Sequence, residues 1–224
     1  MTIGFIGGTG PEGLGLAMRL ALAGHSVRIG SRDADRAAAA AAKVTDALQT
    51  AGHNAPSQER TATGLANLDA AVQSDIVVIV VPYSAHAITL PTLRDAVTGK
   101  IVIDVAVPLT FADGYPDVVP VPEGSVTEQA QALLPDARVV GAFHNFSARK
   151  LQDLATPMTG DVLITGDDLD AKQTVIDLAN SIADLRGVDA GPLALSKCVE
   201  DITALLLGIN RRHKTHAAIQ IVGL

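Results

Sequence analysis

The sequence predicts an α/β fold built around a doubly wound parallel sheet, and three observations lead to this prediction. Strand-like and helix-like segments alternate along the 224 residues, which is typical of repeated β-α-β units. The apolar run 75–81 lacks alternating polar residues and therefore indicates a strand that is buried on both faces. Hydrophobic residues make up 48% of the chain but aromatic residues only 3%, so the core must be mainly aliphatic.

The spacing of apolar and turn-forming residues places the elements along the chain. Strands are predicted at residues 3–6, 26–29, 61–63, 75–81, 100–105, 138–143, 162–165 and 217–222. Helices are predicted at residues 14–23, 33–51, 65–73, 85–97, 126–134, 147–154, 168–184 and 193–211. Residues 52–60 are expected to form a surface loop, and residues 108–125 a long connection without regular structure. The parallel sheet is expected within residues 1–143, and a smaller α+β domain within residues 144–224.

A glycine-rich turn separates the first predicted strand from the first predicted helix. Gly8, Gly10 and Gly13 form the pattern G-x-G-x-x-G, which in this setting is typical of a Rossmann-type dinucleotide site. We expect Gly8 to make the tight turn, Gly10 to admit a pyrophosphate, and Gly13 to allow close helix packing. Glu12 is expected to point to solvent, because a carboxylate beside a pyrophosphate is unfavourable. An ordinary glycine-rich turn is the alternative interpretation.

The end of the second predicted strand distinguishes NAD from NADP. An acidic residue there would bind a ribose 2′-hydroxyl, but this chain has Ser31 and Arg32 instead. Together with Arg36, one helical turn further on, they are predicted to bind the 2′-phosphate of NADP(H). In the alternative interpretation both arginines are solvated or pair with Asp33 or Asp35, of which Asp33 is also the predicted helix cap.

Composition and charge argue against several other classes of protein. A net charge of −7 disfavours a sequence-independent nucleic-acid binder, which needs a basic surface. The apolar runs are far shorter than the ~20 residues that span a bilayer, and we expect a cytoplasmic protein without membrane contact. The single cysteine, Cys198, excludes an intrachain disulfide and is expected to be a buried, inert thiol. The six histidines show no metal-ligand spacing, so no metal site is predicted.

Further motifs extend over the rest of the chain. They are Val81-Pro82-Tyr83 with His86, Ala142-Phe143-His144, Ser147-Ala148, Gly166-Asp167-Asp168, Ala190-Gly191-Pro192-Leu193 and Val199-Glu200. With the glycine turn and the Ser31-Arg32 pair, this set resembles the NADPH:coenzyme F420 oxidoreductases, also called F420-dependent NADP reductases. The resemblance implies a Rossmann domain with a small C-terminal domain, a homodimer, and NADP(H) and coenzyme F420 as the bound coenzymes.

The resemblance also implies roles for individual residues. Those that would meet the pyrophosphate, largely through backbone groups, are Thr9, Gly10, Pro11 and Glu12. Those that would line the ribose–nicotinamide end are Val81, His86, Val107 and Ala148. The implied reaction is direct hydride transfer between the nicotinamide C4 and the deazaflavin C5, for which the protein orients two rings and excludes water.

His144 is the candidate catalytic side chain, because it follows a predicted strand end where a Rossmann site opens. It would hydrogen-bond the nicotinamide or donate to the anion that develops on the reduced deazaflavin. A domain-junction histidine bonded to the backbone is the alternative. The basic stretch 211–214 either attracts the phosphate and carboxylates of the F420 tail or is a solvated helix end.

Two other functions are compatible with the same residues. An NADPH-dependent reductase of a flavin, an imine or a small carbonyl compound would share the cofactor site and differ only in the cleft. A non-catalytic NADP(H)-binding domain would bind the nucleotide without turnover on any acceptor. In either case the apolar segment 202–209 of the last predicted helix is a candidate dimer surface.

Overall fold

The predicted alternation of strands and helices is present in the computed structural model, which describes residues 1–51 and 62–224. The strands are β1 (Thr2–Ile6), β2 (Ser26–Ser31), β3 (Ala62–Ala66), β4 (Ile76–Ile79), β5 (Ile101–Asp104), β6 (Leu109–Ala112), β7 (Tyr115–Val118), β8 (Arg138–Gly141), β9 (Gly160–Gly166) and β10 (Leu185–Asp189). The α-helices are α1 (Pro11–Leu22), α2 (Ala34–Thr50), α3 (Asn67–Val72), α4 (His86–Thr89), α5 (Arg94–Val97), α6 (Val126–Leu133), α7 (Ala148–Gln152), α8 (Leu169–Asn180) and α9 (Ser196–His213).

One sheet contains eight of these strands, in the order β10-β9-β8-β5-β4-β1-β2-β3. Neighbouring strands are parallel throughout except for β8 and β9, which pair antiparallel. In this register Phe5 of β1 lies opposite Ile29 on one side and Val78 on the other. Because β1 lies between β2 and β4, the strand order reverses beside β1. The carboxyl ends of β1 and β4 therefore border a crevice of the kind that binds ligands in α/β proteins.

The sheet is buried on both faces, and successive side chains alternate between two cores. Phe5 and Val78 belong to the core that includes residues of α1, α2 and α8. Ile6 and Val77 point the other way and belong to the core that contains Leu90. This arrangement explains the unbroken apolar sequence of β4, because each of its side chains has a core to enter.

The strands that follow β8 extend the same sheet. Val162 and Ile164 of β9 share a core with Phe5 of β1, so the core continues past residue 143. The Rossmann-type α/β fold predicted from the sequence is therefore confirmed. The division into domains at 1–143 and 144–224 stays a prediction.

Two segments are more irregular than the sequence pattern indicates. The helix predicted at 85–97 is broken into α4 and α5 by a 3-10 turn over Leu90–Leu93, and Pro91 within that turn has no N–H to donate to a continuous helix. The strand predicted at 217–222 is absent, since that backbone has no regular structure. The surface loop predicted at 52–60 lies outside the described residues.

Two other segments are more regular than expected. The connection 108–125 contains an antiparallel hairpin of β6 and β7, whose turn places Asp113 and Gly114 at φ 51° and 75°. Strand β10 was not predicted, and it pairs in parallel with β9. Short strands of mixed polarity such as β6 and β7 have no strong periodic signal, which is why the sequence pattern did not identify them.

Gly13 and Gly10 provide a matched pair of substitutions for testing the packing of α1. A Cβ on Gly13 would lie 2.8 Å from the Cα of Gly8, whereas a Cβ on Gly10 would meet nothing within 4 Å. We expect Gly13→Ala to lower the free energy of unfolding by about 1–3 kcal/mol through overpacking. Gly10→Ala should cost less than about 1 kcal/mol, the usual scale of an N-cap change. Urea unfolding followed by circular dichroism measures both, and equal losses would contradict the packing explanation.

Candidate functional site

The glycine turn joins β1 to α1 and leaves the N-terminus of α1 uncapped. Gly7 has φ +73°, so Gly7 rather than Gly8 adopts the left-handed conformation of the tight turn. Gly10 is the N-cap residue of α1 and no side chain caps this helix. The space beside Gly10 is open, since an added Cβ would meet no atom within 4 Å. Free N–H groups beside open space suit an anionic ligand.

Glu12 in the first turn of α1 is placed differently from the sequence expectation. Its side chain is half-buried instead of pointing freely to solvent. Burial raises the pKa of this carboxyl to about 8. The group is therefore largely protonated near neutral pH, and it does not bring a full negative charge to the glycine turn.

The residues predicted to bind a 2′-phosphate lie around the end of β2. Ser31 is buried, and its Oγ accepts a hydrogen bond from the backbone N–H of Asp33 at 3.1 Å. The exposed Arg36 reaches back to the glycine turn, where its Nη2 lies 3.4 Å from the Oγ1 of Thr9. Arg36 thus links the end of β2 with the turn that precedes α1.

The two arginines are not occupied by neighbouring carboxylates. Asp33 is the N-cap of α2, as predicted, and its Oδ1 accepts a hydrogen bond from the backbone N–H of Arg36 at 3.1 Å. Neither guanidinium forms an ion pair with Asp33 or Asp35. Arg32 is exposed and has no hydrogen-bond or ion-pair partner within residues 1–51 and 62–224. Both guanidinium groups therefore face solvent beside the turn.

The residues expected at the nicotinamide end follow adjacent strands. Val81, Val107 and Ala148 come after β4, β5 and β8, which are neighbours in the sheet and end at the same edge. Val81 is buried against the turn, because a Cβ on Gly7 would lie 2.5 Å from its Cγ1. Val107 and Ala148 are half-buried at this edge. The topology therefore gathers these positions beside the glycine turn.

His86 lies deeper than a residue that lines a cleft. Its side chain is 0% exposed, and its Nδ1 lies 3.8 Å from Oδ2 of Asp104, whose side chain is also 0% exposed. Burial lowers the pKa of His86 to about 4 and raises the pKa of Asp104 to about 7. Between these values both groups are mainly neutral. Sequence reasoning missed Asp104, although a lone carboxylate at the tip of an apolar strand is a detectable signal.

A second buried carboxylate, Glu200 on α9, binds the N-terminus of α6. Its two oxygens accept hydrogen bonds from the backbone N–H groups of Val126 and Thr127 at 3.0 and 3.1 Å, and from the Thr127 hydroxyl at 2.9 Å. Burial raises the pKa of Glu200 to about 7, although the N–H donors act in the opposite direction. Glu200 therefore fixes α9 against α6 beside β5 and β8.

His144 lies in the loop after β8 and is buried, with 3% of its surface exposed. Neither ring nitrogen has a hydrogen-bond partner in the described part of the chain, and burial lowers its pKa to about 4. Its backbone carbonyl accepts a hydrogen bond from the hydroxyl of Thr203 at 3.0 Å. The preceding Phe143 has φ +64°, a left-handed conformation that side chains rarely adopt. The loop thus holds a neutral imidazole with two unused nitrogens.

Arg19 of α1 holds α7 in place beside the glycine turn. Its guanidinium is buried and donates to the carbonyl oxygens of Leu151 and Lys150 at 3.0 and 2.9 Å. It also donates to the carbonyl oxygens of Asp153 and Thr156. Two of these acceptors lie in the last turn of α7, where helix carbonyls lack partners within the helix, and two lie just beyond it.

Two further contacts bring α7 close to α1. A Cβ on Gly15 would lie 2.5 Å from the Cβ of Leu151, so the two helices touch at this glycine. The side-chain amide of Gln152 donates to the carbonyl oxygen of Pro11 at 2.7 Å. The first residue of α7, Ala148, is thereby positioned relative to the glycine turn.

Other expectations have simpler outcomes. Cys198 is exposed on α9, so the prediction of a buried thiol was wrong. Within the described ranges, no helix is long and apolar enough to cross a membrane. The same ranges contain no group of three metal-ligating side chains.

Comparisons with known proteins agree with the motifs. A family profile described as "NADP oxidoreductase coenzyme F420-dependent" matches residues 2–108. The F420-dependent NADP reductase of Methanocaldococcus jannaschii is 40% identical over 96% of this chain and 95% of its own. The enzyme of the same name from Methanothermobacter thermautotrophicus is 41% identical over 100% of this chain and 96% of its own. A crystal structure provisionally described as an F420-dependent NADP-reductase from Arthrobacter sp. FB24 superimposes with a TM-score of 0.81, at 26% identity and full coverage of both chains.

The buried carboxyl of Asp104 predicts a pH-dependent stability. Its folded pKa of about 7 exceeds the ordinary value of 3.8. Its contribution to the free energy of unfolding is therefore fully present below pH 3.8 and is lost as the pH rises to about 7, because the unfolded chain ionises this carboxyl first. Asp104→Asn stays neutral at every pH. Relative to wild type, its free energy of unfolding should therefore rise between pH 4 and 7, by up to about 4 kcal/mol.

Chemical unfolding between pH 4.5 and 8, followed by circular dichroism, measures this difference. Asp136→Asn, which changes an exposed carboxylate, is the control and should show a difference that is flat over the same range. If the difference in free energy of unfolding between Asp104→Asn and wild type were also independent of pH, the raised pKa of Asp104 would be contradicted.

Proposed function

The chain belongs to the F420-dependent NADP reductases, and from this membership we propose that it transfers a hydride between NADP(H) and coenzyme F420. The observation that carries the proposal is that Arg32 and Arg36 lie at the end of β2 without an ion pair in the described part of the chain, beside the glycine turn and the uncapped N-terminus of α1. This pair suits the 2′-phosphate that distinguishes NADP from NAD. The relatives that share the whole length of the chain support the second coenzyme.

In this proposal the glycine turn binds the pyrophosphate. Backbone N–H groups of Thr9 and Gly10 would face it, Pro11 would only pack against it because proline has no N–H, and the protonated carboxyl of Glu12 would avoid charge repulsion. The link between Arg36 and Thr9 supports one continuous anion-binding surface, because it joins the pyrophosphate and 2′-phosphate positions. The Oγ of Ser31 accepts the backbone N–H of Asp33, and its own O–H stays available to donate to the ligand.

At the other end of the nucleotide, Val81, Val107 and Ala148 would contact the ribose and nicotinamide. His86 has no exposed surface, and we assign it the role of supporting this edge from within the core beside Asp104. The α1–α7 contacts through Arg19 set the position of Ala148. Together these residues would hold the nicotinamide in one orientation and keep water from its face.

Both reacting carbons belong to the two coenzymes, which supply the redox chemistry. The protein orients the two coenzymes and forms hydrogen bonds to them, and His144 is the side chain suited to such a hydrogen bond. Its imidazole is buried, neutral at pH 7 and unpartnered, so it can donate one N–H to an oxygen or nitrogen that gains charge as the hydride moves. The left-handed backbone at Phe143 fixes the direction of this loop.

We further propose a homodimer, with the exposed side of α9 as its surface. Leu205 on α9 is 63% exposed, and Phe111 and Tyr115 of the adjoining hairpin are 65% and 59% exposed. Exposed apolar side chains that adjoin one another favour association between chains. Leu205 belongs to the segment 202–209 singled out in the sequence, whereas Leu206 of the same segment is buried.

The direct test of the proposed function is the visible absorbance of F420, which falls when the deazaflavin is reduced. NADPH and F420 mixed with the protein should give a rapid loss of this absorbance. Oxidation of NADPH by a flavin, an imine or a small carbonyl acceptor, without any reduction of F420, would favour the alternative reductase. Nucleotide binding without turnover on any acceptor would favour the binding domain.

Arg32→Ala is expected to weaken NADPH binding about 10- to 100-fold and to leave NADH binding nearly unchanged, because it removes a charge-assisted contact to the 2′-phosphate alone. Dissociation constants for both nucleotides, measured by titration calorimetry, test this. Lys43→Ala, which removes an exposed cation from the helix that follows, α2, is the control and should change neither. Equal losses for NADPH and NADH in Arg32→Ala would contradict the 2′-phosphate role.

His144→Ala is expected to lower the single-turnover rate of hydride transfer about 100-fold while NADPH affinity stays within about twofold. Stopped-flow absorbance and calorimetry separate the two quantities. His213→Ala, which changes an exposed histidine, serves as the control. Unchanged turnover in His144→Ala would remove this residue from the site.

A further inference from the structure

A cavity of about 240 Å³ adjoins the start of α7 and is not used by the residues discussed above. Its walls are the loop into α7, the residues before β9, and the C-terminal segment, defined as residues 214–224. The lining side chains that matter here are Phe146, Ser147, Lys150, Met158 and His216. Ser147 directly precedes Ala148, so the cavity lies next to the proposed nicotinamide end. We call it the α7 pocket.

The C-terminal segment is fixed in place although it has no regular structure. The buried carboxylate of Asp161 forms an ion pair with Arg186 at 2.7 Å and also accepts the backbone N–H of Ile221. Arg186 in turn donates to the carbonyl oxygens of Ile221 and Leu224 at 2.7 and 2.8 Å. The side-chain oxygen of Asn210 accepts the N–H of Ala217 at 2.6 Å. One wall of the α7 pocket is thus held by an ion pair whose carboxylate is buried.

The polar side of the α7 pocket carries hydrogen-bonding groups and positive charge. The Oγ of Ser147 lies 2.9 Å from Nδ1 of His216, so these groups meet across the pocket. Lys150 lines the same cavity and also borders an adjoining depression together with Arg149 and His216. Neither the Lys150 ammonium nor the Arg149 guanidinium has an ion-pair partner in the described part of the chain.

One acidic residue, Asp153, also borders this depression, but it forms no ion pair with Lys150 or Arg149. The hydroxyl of Thr156, which donates to its carboxylate at 2.6 Å, and to a smaller extent the charge of Lys150 lower the pKa of Asp153. Two unpaired cations and a histidine therefore converge beside a cavity, in a chain whose net charge is −7. Such a local excess of positive charge attracts a phosphate or carboxylate.

We propose that the α7 pocket binds an anionic group, phosphate or carboxylate, of the tail of coenzyme F420, with Lys150, Arg149, Ser147 and His216 as the ligand-binding residues. This proposal rests on the proposed function, because it assigns a subsite to the second coenzyme. It also replaces the interpretation that the basic stretch 211–214 binds the tail. The guanidinium of Arg211 is engaged elsewhere, 4.1 Å above the ring of Tyr115 and bonded to the carbonyl oxygen of Gly114.

The test compares F420 with the same deazaflavin lacking the acidic tail, at saturating NADPH. For Lys150→Gln we expect KM for F420 to rise about tenfold, the loss of one charge-assisted contact, while KM for the tail-free deazaflavin and for NADPH stays unchanged. Arg149→Gln, an exposed substitution, should act in the same direction, and Lys150→Arg should restore most of the affinity. Arg212→Gln removes an equal charge from the basic stretch and is the matched control.

The outcomes separate the two proposals. If wild-type protein does not reduce F420, both the function and this subsite fail. If wild type is active but Lys150→Gln and Arg149→Gln leave KM for F420 unchanged, the subsite alone is overturned. The subsite would also be overturned if Lys150→Gln raised KM for the tail-free deazaflavin as much as KM for F420, or if Arg212→Gln raised KM for F420 equally. Either result points to a cause outside the pocket.

Discussion

The contacts of Arg19 connect the two ends of the candidate site. This one guanidinium lies in the last turn of α1 and satisfies carbonyl groups at and just beyond the end of α7. Residues that are far apart in sequence, Pro11 and Ala148 among them, thereby keep a fixed separation. A buried guanidinium is stable only when its donors are satisfied. Arg19 therefore holds α7 in position, and in turn it can be buried only when α7 is in that position.

A second set of buried polar groups lies under the carboxyl edge of the sheet. His86 and Asp104 face each other without a hydrogen bond, while Glu200 is satisfied by the N-terminus of α6. Burial moves the pKa values of the carboxyls upward and that of the histidine downward, so all three favour their neutral forms. The edge of the sheet is consequently polar without being highly charged, which suits the placement of two aromatic coenzyme rings above it.

The sequence predicted the repeated β-α-β order because β4 is apolar throughout, and because the glycine turn and the cap residue Asp33 mark where α1 and α2 begin. The glycine turn and the arginines were identifiable for the same reason: local spacing determines their geometry. The burial of His86, the carboxylate of Asp104 and the role of Arg19 were not identifiable. They depend on contacts across 18 to more than 130 positions, which periodicity does not encode. Cys198 was misjudged because a helix pattern does not reveal which side faces solvent.

The antiparallel pairing of β9 with β8 has a consequence for how this fold diversifies. Because β8 and β9 are antiparallel neighbours, the connection from Ala142 to Thr159 begins and ends at the same edge of the sheet. Arg19 fixes its part from Lys150 to Thr156, and His144 and Ala148 belong to the candidate site, so the least constrained residues of the connection are those from Pro157 to Thr159. Selection for a new electron acceptor would act most freely on these last residues, while the nucleotide half of the molecule stays unaltered.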